Sequence, residues 1–510
     1  MRGALAYRDV IGMRPGVGHN LPRMSGITSA RHRDGPRTEP ADLGVIEAAG
    51  LLRERQLSAV ELASACLRRI EERNGGEPTY GGSPEAINAW ARIYPELALA
   101  QAREADERRA RERDGDRVPL LTGIPLALKD LYGVAGLPLT ASSRVLDGNI
   151  ATRDATICRR LRGQGMVLVG HTHTHEFAAG GTTDQVGNPW ARDRVAGGSS
   201  GGNAAALAAG MTPAALGTDT CGSLRIPSAC CGTSAIKPTH GRTPMDGIIP
   251  LAPSLDHAGP MARSIADCAA LLAGMTAGGP DITPLMPPPA DLGELPLTPR
   301  PGTRPLAGVT VALTDRTSAV AIDEPVAAAL DAARRACERL GARVTALSAP
   351  WAALGNDLGT ILLTEVWSYH SRFIEVRDRY RPAIAELVEA AAGFSDAQAY
   401  LGAQQSRADG TAAWEAWFSA NRVDLVLEPT LPIVPYRRGP GYERGHAGGP
   451  GDPMIALTAL WDMTGMPVAS LPVNPHVGVS LIAPRGAEAP LVQGAIDLQA
   501  NELAVPVWVP

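Results

Sequence analysis

The chain of 510 residues contains 45% hydrophobic residues and carries a formal net charge of -5 at pH 7. This length can bury a substantial core, which indicates a large soluble enzyme, while the modest negative charge excludes a basic nucleic-acid surface and a polybasic membrane anchor. The longest small and apolar stretch, roughly residues 204–216, is too short and too interrupted to span a bilayer.

The N-terminal end divides into two regions of different composition. Residues 1–40 are rich in Arg, Gly and Pro and lack a continuous apolar segment, so we expect a poorly ordered extension and no secretory signal. From Ala41 the pattern becomes helical. Ser58 and Glu61 form a predicted capping box before a helix that reaches Glu72, and the charged segment 96–113 is typical of a solvated helix.

A short apolar segment, residues 121–129, predicts a strand that ends on Lys129. Buried strands seldom carry lysine, although a lone lysine at a strand end is more often simply solvated. Further apolar segments, such as residues 166–169, alternate with helical stretches. This alternation predicts an α/β fold in which helices cover both faces of a sheet.

Three histidines alternate along the next segment, at His171, His173 and His175. Alternate side chains of a strand project to one face, so the run raises the hypothesis of a metal-dependent hydrolase. No carboxylate is placed to complete an obvious ligand set, and we therefore expect no metal. Sensitivity to a chelator would separate the two hypotheses.

Two glycine-rich turns follow, at residues 197–202 and 217–227, and an alanine-rich helix pattern from Asn203 to Gly210 separates them. Both turns contain serine, and glycine leaves backbone N–H groups accessible. Nucleophilic acyl transfer requires a hydroxyl beside such donors. The turns therefore predict a serine-hydrolase active site.

Lys129 and the two serine turns, in this order, resemble the amidase signature family. The similarity continues through residues 231–239, Gly241-Arg242 and residues 254–263, and a weaker similarity runs from about residue 41 to the C-terminus. The resemblance implies one catalytic domain over 41–510, with a single large α/β fold whose central twisted mixed β-sheet is covered by α-helices on both faces. It also implies a signature core at about 120–265 and a variable substrate-specificity half at about 308–510.

The resemblance assigns a Ser-Ser-Lys triad. It implies that Ser223 is the nucleophile, that Ser199 relays the proton after a cis peptide bond with Gly198, and that Lys129 is the base. A serine hydroxyl needs such a base, and lysine can act as one only when neutral. Burial lowers the pKa of lysine, so Lys129 should be enclosed. No metal or other cofactor is implied.

The residues around the nucleophile have implied roles as well. Backbone N–H groups would form the oxyanion hole, and flanking polar side chains would support the loop, although these could instead be an ordinary ion pair and a helix N-cap. The implied oxyanion residues are Thr220, Cys221, Gly222 and Ser223, and the supporting residues are Ser200, Asp219 and Arg225.

The seven cysteines show no paired spacing of a secreted scaffold or a zinc site, which favours a reducing cytoplasm. Cys221 is a departure, because the family usually has glycine at that position. Its side chain narrows the expected oxyanion hole. The thiol is an alternative nucleophile, but the spacing favours Ser223.

The C-terminal half begins after a proline-rich connection, residues 276–307, which we interpret as a surface excursion within one fold rather than a hinge. A strand at 308–313 and a helix from about Glu324 to Leu340 are predicted next. This half contains much of the scarce aromatic supply. We expect some of these side chains to determine specificity and others to fill the core: Trp367, Tyr369, Phe373, Tyr380, Trp414, Trp417 and Trp461.

We therefore expect a free-standing amidohydrolase, monomeric or homodimeric, that cleaves small amides or carbamates, including urethanes, through a Ser223 acyl-enzyme. The alternative within the family is the glutamine-hydrolysing subunit of a tRNA-dependent amidotransferase. That subunit is expected to have an acidic residue where our alignment places Ile455, with Asp452 or Asp462 as other candidates. A non-catalytic binding scaffold is the third hypothesis, and it predicts a broken triad.

Overall fold

The computed structural model describes residues 39–112, 118–277, 294–350, 355–439 and 452–503. Nearly all of the expected N-terminal extension, residues 1–38, lies outside the described residues. So does half of the proline-rich connection, residues 278–293. Both expectations therefore remain predictions.

One mixed sheet of eleven strands runs through the described ranges, in the order β1-β3-β2-β4-β6-β5-β10-β11-β9-β7-β8. Parallel pairing joins β2 to β3 and β4, and β7 to β8 and β9, while the other neighbours are antiparallel. The strands are β1 (Trp90–Ile93), β2 (Pro125–Lys129), β3 (Val167–Thr172), β4 (Ala214–Asp219), β5 (Ser234–Lys237), β6 (His257–Ala262), β7 (Thr310–Thr314), β8 (Arg343–Leu347), β9 (Leu425–Pro429), β10 (Val468–Asn474) and β11 (Val477–Ile482).

Thirteen α-helices flank this sheet in the described residues. They are α1 (Val45–Arg53), α2 (Ala59–Arg73), α3 (Pro95–Ala110), α4 (Thr156–Gly163), α5 (Gly201–Ala208), α6 (Arg225–Cys231), α7 (Ile265–Thr276), α8 (Glu324–Arg339), α9 (Gly355–His370), α10 (Pro382–Ala391), α11 (Ala397–Asn421), α12 (Ala459–Met463) and α13 (Glu488–Asn501). None of these helices has the length and apolar character needed to cross a bilayer.

The sheet has a hydrophobic core on each face. Successive side chains of a strand point to opposite faces, so Ala214 and Leu216 of β4 pack in the cluster that includes α7 and α13, whereas Ala215 packs in the cluster that includes α5. The expected α/β fold, with a mixed sheet covered on both faces, is confirmed.

Short-range patterns account for several element boundaries. Ser58 Oγ accepts the Glu61 N–H at 3.1 Å, and Glu61 Oε2 accepts the Ser58 N–H at 2.8 Å, so the capping box is present and α2 begins at Ala59. The structure also contains the predicted strand that ends on Lys129 and the predicted helix that begins at Glu324.

The register of the sheet positions the serine turns. Leu128 pairs with Leu216 across the parallel strands β2 and β4, and Lys129 pairs with Thr172 across β2 and β3. The carboxyl ends of these three strands therefore meet at one edge of the sheet. Ligands of α/β proteins commonly bind beyond the carboxyl ends of parallel strands.

Candidate active site

Two loops approach each other at that edge. The first precedes α5 and contains a cis peptide bond between Gly198 and Ser199. The second connects β4 to α6 and contains Ser223. A backbone hydrogen bond from the Ser200 N–H to the Ser223 carbonyl oxygen, at 3.3 Å, joins the two loops directly.

The first loop is tightly enclosed. A Cβ atom on Gly198 would overlap the Thr182 carbonyl oxygen. The Ser199 carbonyl oxygen accepts the His175 N–H at 2.9 Å and the Thr183 hydroxyl at 3.1 Å. These contacts fix the backbone that carries the Ser199 hydroxyl.

Lys129 is fully buried beneath the first loop, as expected. Its Nζ lies 2.8 Å from Ser199 Oγ and 2.9 Å from Thr218 Oγ1, and it donates hydrogen bonds to both. Burial lowers the pKa of Lys129 to about 7, against the opposing effect of the Asp219 and Asp256 carboxylates. A substantial fraction of this amine is therefore neutral near pH 7.

Asp219, at the end of β4, organises the second loop. Its carboxylate accepts a bidentate pair from Arg225, with both distances 2.9 Å, and it also accepts the backbone N–H groups of Gly222 at 2.5 Å and Leu224 at 3.1 Å. Burial acts to raise the pKa of Asp219, but Arg225 outweighs it and holds the pKa at about 2. The carboxylate is therefore ionised and shapes the turn that presents Ser223.

The Gly222 N–H does not match its expected role. Because it donates to Asp219, it is already engaged within the loop and is not a free donor for an oxyanion. Gly222 has a φ of +129°, and a Cβ atom added there would overlap the Thr458 side chain, so a larger residue would not fit at this position.

The structure favours neither a nucleophilic role for the Cys221 thiol nor a helix-capping role for the Ser200 hydroxyl. Burial raises the pKa of the Cys221 thiol well above its usual range, which disfavours a thiolate nucleophile. The Cys221 carbonyl oxygen accepts the Thr458 hydroxyl at 2.5 Å. Ser200 precedes α5, but its hydroxyl donates to the Thr218 carbonyl oxygen at 3.3 Å instead of capping the helix.

A cavity of about 140 Å³ opens beside Ser223, and we call it the Ser223 cavity. Ser223 itself is 6% exposed. Most of the wall is aliphatic side chain or glycine, and much of it comes from the C-terminal half of the chain. The residues from that half are Gly359, Leu362, Leu363, Val366, Leu387, Ala390 and Ile455.

The aromatic side chains expected to determine specificity are absent from the described lining of this cavity. Trp414 and Trp461 are buried, with ring centroids 4.9 Å apart, and Tyr369, Phe373 and Tyr380 pack around Phe177. Large rings gain from burial, so these rings pack in the core or against it, with Tyr369 and Phe373 partly buried, while aliphatic residues form the cavity wall.

The three alternating histidines have separate partners. His171 contacts the Tyr94 hydroxyl and the Tyr132 carbonyl oxygen at 2.9 and 3.0 Å, whereas His173 contacts the Ser142 hydroxyl at 3.1 Å. His175 Nε2 lies 3.6 Å from Asp184. Among the described residues, no group of three His, Cys, Asp or Glu side chains is arranged to hold a metal ion.

Sequence reasoning assigned no role in the second loop to Asp256 or Asp462, although Asp462 was a candidate for the acidic residue of the amidotransferase subunit. Asp256 Oδ1 accepts the Thr220 hydroxyl at 2.6 Å, and burial raises the pKa of Asp256 to about 7. Asp462 Oδ2 accepts Arg225 at 2.5 Å. Asp256 lies within a segment that carries the family resemblance and could have been noted, but nothing local to Asp462 indicates its contact with Arg225.

Comparisons with known proteins found a family model, relatives and solved structures to which this chain is similar. The family model Amidase matches residues 80–492. A glutamyl-tRNA(Gln) amidotransferase subunit from Cupriavidus metallidurans is 36% identical over 497 residues, covering 88% of this chain and 95% of the relative. The solved structure of 6-aminohexanoate cyclic dimer hydrolase has a TM-score of 0.78 and 26% identity, covering 91% of this chain and 98% of that one. The solved structure of the corresponding amidotransferase subunit from Thermotoga maritima has a TM-score of 0.69 and 26% identity, over 91% and 95% of the two chains.

Proposed function

Because the chain belongs to the amidase signature family and is a hydrolase of carbon–nitrogen bonds, we propose that it cleaves amides or carbamates with a neutral, apolar acyl group. The observation that carries this proposal is the aliphatic wall of the Ser223 cavity beside a buried Lys129–Ser199 pair. The reaction requires no partner chain, so the proposal includes a monomer or homodimer.

In the proposed reaction, the Ser223 hydroxyl oxygen attacks the substrate carbonyl carbon while its proton passes through Ser199 to neutral Lys129. The same proton returns through Ser199 to the substrate nitrogen as the carbon–nitrogen bond breaks and the amine leaves. Water then hydrolyses the acyl-enzyme on Ser223. With a carbamate, the intermediate is a carbonate-like ester.

We assign the negative charge of the tetrahedral intermediate to backbone N–H groups of the second loop. Thr220, Cys221 and Ser223 remain candidates, whereas Gly222 is engaged by Asp219. Removing one oxyanion donor typically costs about 3 kcal/mol of barrier, so the conformation of this loop matters strongly. Its supporting groups are Asp219, Arg225 and Ser200.

Glutamine hydrolysis within an amidotransferase complex is the second candidate. The 36% identity to the Cupriavidus metallidurans protein supports it more directly than it supports our main proposal. The chemistry of the cavity opposes it, because glutamine carries an α-ammonium and an α-carboxylate. Burying these charges without partners is costly, and the aliphatic Ile455 lies in the described lining of the cavity, whereas Asp452 and Asp462 do not.

A substrate panel tests the two candidates. For p-nitroanilides with acetyl, propionyl, butyryl and benzoyl groups, we expect kcat/KM to rise about fourfold per added methylene until the cavity is full, since each buried methylene contributes about 0.8 kcal/mol. Release of ammonia from L-glutamine should be far slower. Faster hydrolysis of glutamine than of every anilide would instead support the amidotransferase reaction.

The same panel locates the acyl group. Leu363→Trp narrows the Ser223 cavity, so it should raise KM for the benzoyl anilide more than for the acetyl anilide. Leu401→Trp is a matched control, because Leu401 is 66% exposed on α11. If Leu363→Trp and the wild type had identical substrate profiles, that result would contradict binding of the acyl group in this cavity.

Replacing Ser199 with alanine tests the proton relay. We expect Ser199→Ala to lower kcat about 10³-fold for an amide. For the ester with the same acyl group, the loss of kcat should be smaller by a factor of about ten or more. An amine must be protonated as it leaves, whereas an alkoxide or phenoxide depends less on protonation. Steady-state kinetics on matched amide and ester pairs measure the difference, and equal losses would contradict the relay.

A further inference from the structure

The loop that carries Ser223 is held by a residue far from it in sequence. Asp462, on the short helix α12, is fully buried, and its Oδ2 accepts Arg225 Nη2 at 2.5 Å. The same Nη2 donates to Asp219 Oδ1 at 2.9 Å. The guanidinium therefore joins two buried carboxylates from distant parts of the chain.

These contacts lead directly to the nucleophile. Asp219 accepts the N–H groups of Gly222 and Leu224, the two residues that flank Ser223. Any rotation of Arg225 that followed the loss of one carboxylate would change its fork to Asp219. The hydrogen bonds that hold the peptide groups on both sides of Ser223 would then change.

A second buried basic side chain lies close to this cluster. Two carboxylates on one guanidinium leave an excess negative charge, which is costly in a buried site. His257 Nδ1 lies 3.4 Å from Asp462 Oδ1, and His257 Nε2 lies 3.1 Å from Lys237 Nζ. Lys237 is fully buried as well, and burial lowers its pKa to about 7, so the fraction in the ammonium form would offset the charge of the cluster through the imidazole.

We propose that Asp462 is a positioning residue that orients the Ser223 loop through Arg225 and Asp219. Asp462 is absent from the described lining of the Ser223 cavity, so its role is to act on Ser223 and not to bind the acyl group. The inference deepens the proposed function and rests on Ser223 being the nucleophile.

The test compares Asp462→Asn with wild type by three measurements on the full chain. These are the rate of covalent labelling by a fluorophosphonate, kcat and KM for the best anilide of the panel, and the midpoint of thermal unfolding. Small displacements at a catalytic centre cost up to about 100-fold in rate, so we expect labelling and kcat to fall about 10- to 100-fold with KM changed less than about threefold.

Asp497→Asn is the matched control, because Asp497 is also fully buried and pairs with an arginine, Arg300, at 2.7 Å. It should label at the wild-type rate even if it unfolds at a lower temperature. If Asp462→Asn does not fold, Asp462→Glu replaces it. The longer side chain keeps the charge but displaces Arg225, and it should also slow labelling relative to Asp497→Glu.

The outcomes separate the two levels of the argument. If Asp462→Asn or Asp462→Glu were labelled at the full wild-type rate, the proposed role of Asp462 would be overturned, and the proposed function would stand. A rise in KM with unchanged kcat would overturn it too, because that result indicates lost binding. No labelling of Ser223 in the wild type would contradict the proposed function and, with it, this inference.

Discussion

Ser223→Ala is expected to abolish covalent labelling by fluorophosphonate or phenylmethylsulfonyl fluoride and to lower kcat at least about 10⁴-fold on the best amide. The reason is that alanine lacks the hydroxyl that forms the proposed acyl-enzyme. Intact-protein mass spectrometry measures the label, and steady-state kinetics measure the turnover. Ser223 borders the cavity with a small side chain, so the variant should fold like the wild type.

Ser228→Ala is the matched control for this substitution. Ser228 lies five residues along the chain, on α6, and its hydroxyl oxygen accepts the Thr233 hydroxyl at 3.2 Å. It should retain labelling. Full labelling of Ser223→Ala would contradict the proposed nucleophile, and a label mapped to Cys221 would restore the thiol alternative despite its raised pKa.

Lys129→Met is expected to lower kcat about 10³-fold or more and to remove the pH dependence that the base confers. In the wild type, only the neutral amine can accept a proton. Because burial lowers the pKa of Lys129 to about 7, kcat/KM should rise about tenfold per pH unit below that value and level off above it. A pH–rate profile from about pH 5 to about pH 9 on a neutral anilide measures this limb.

The chain supplies a matched control in Lys237→Met. Lys237 is also fully buried, and burial lowers its pKa to about 7 as well, but its Nζ contacts Pro238 and His257 instead of the serines. Whatever its effect on rate, Lys237→Met should keep the rise through the neutral range. If the rise vanished in this variant and persisted in Lys129→Met, the base would be assigned to the wrong lysine.

Local sequence was sufficient for the parts of the molecule in which neighbours in the chain are neighbours in space. The capping box at Ser58, the strand ending on Lys129 and the turn around Ser223 each depend on residues within a few positions of one another. The mixed character of the sheet was implied only by the resemblance to the amidase signature family, which extends over nearly the whole chain.

Contacts across long separations could not be predicted in the same way. Asp462 meets Arg225 across 237 positions, and no spacing rule connects them. Much of the wall of the Ser223 cavity comes from α9, α10 and Ile455, so its aliphatic character depends on how helices pack. The Gly222 N–H shows a different limit, because Asp219 is only three residues away and the contact depends on the conformation of the turn, not on residue type.

The crowding around Gly198 and Gly222 indicates which positions directed evolution of substrate specificity should leave unchanged. Randomising either position would fill a library with inactive proteins, because Thr182 and Thr458 leave no room for a side chain. Leu363 and Leu387 are only partly buried and Ala390 is exposed, and all three border the cavity. A library that varies only these helical positions would let selection change the substrate specificity, because every variant would keep the two active-site loops unchanged.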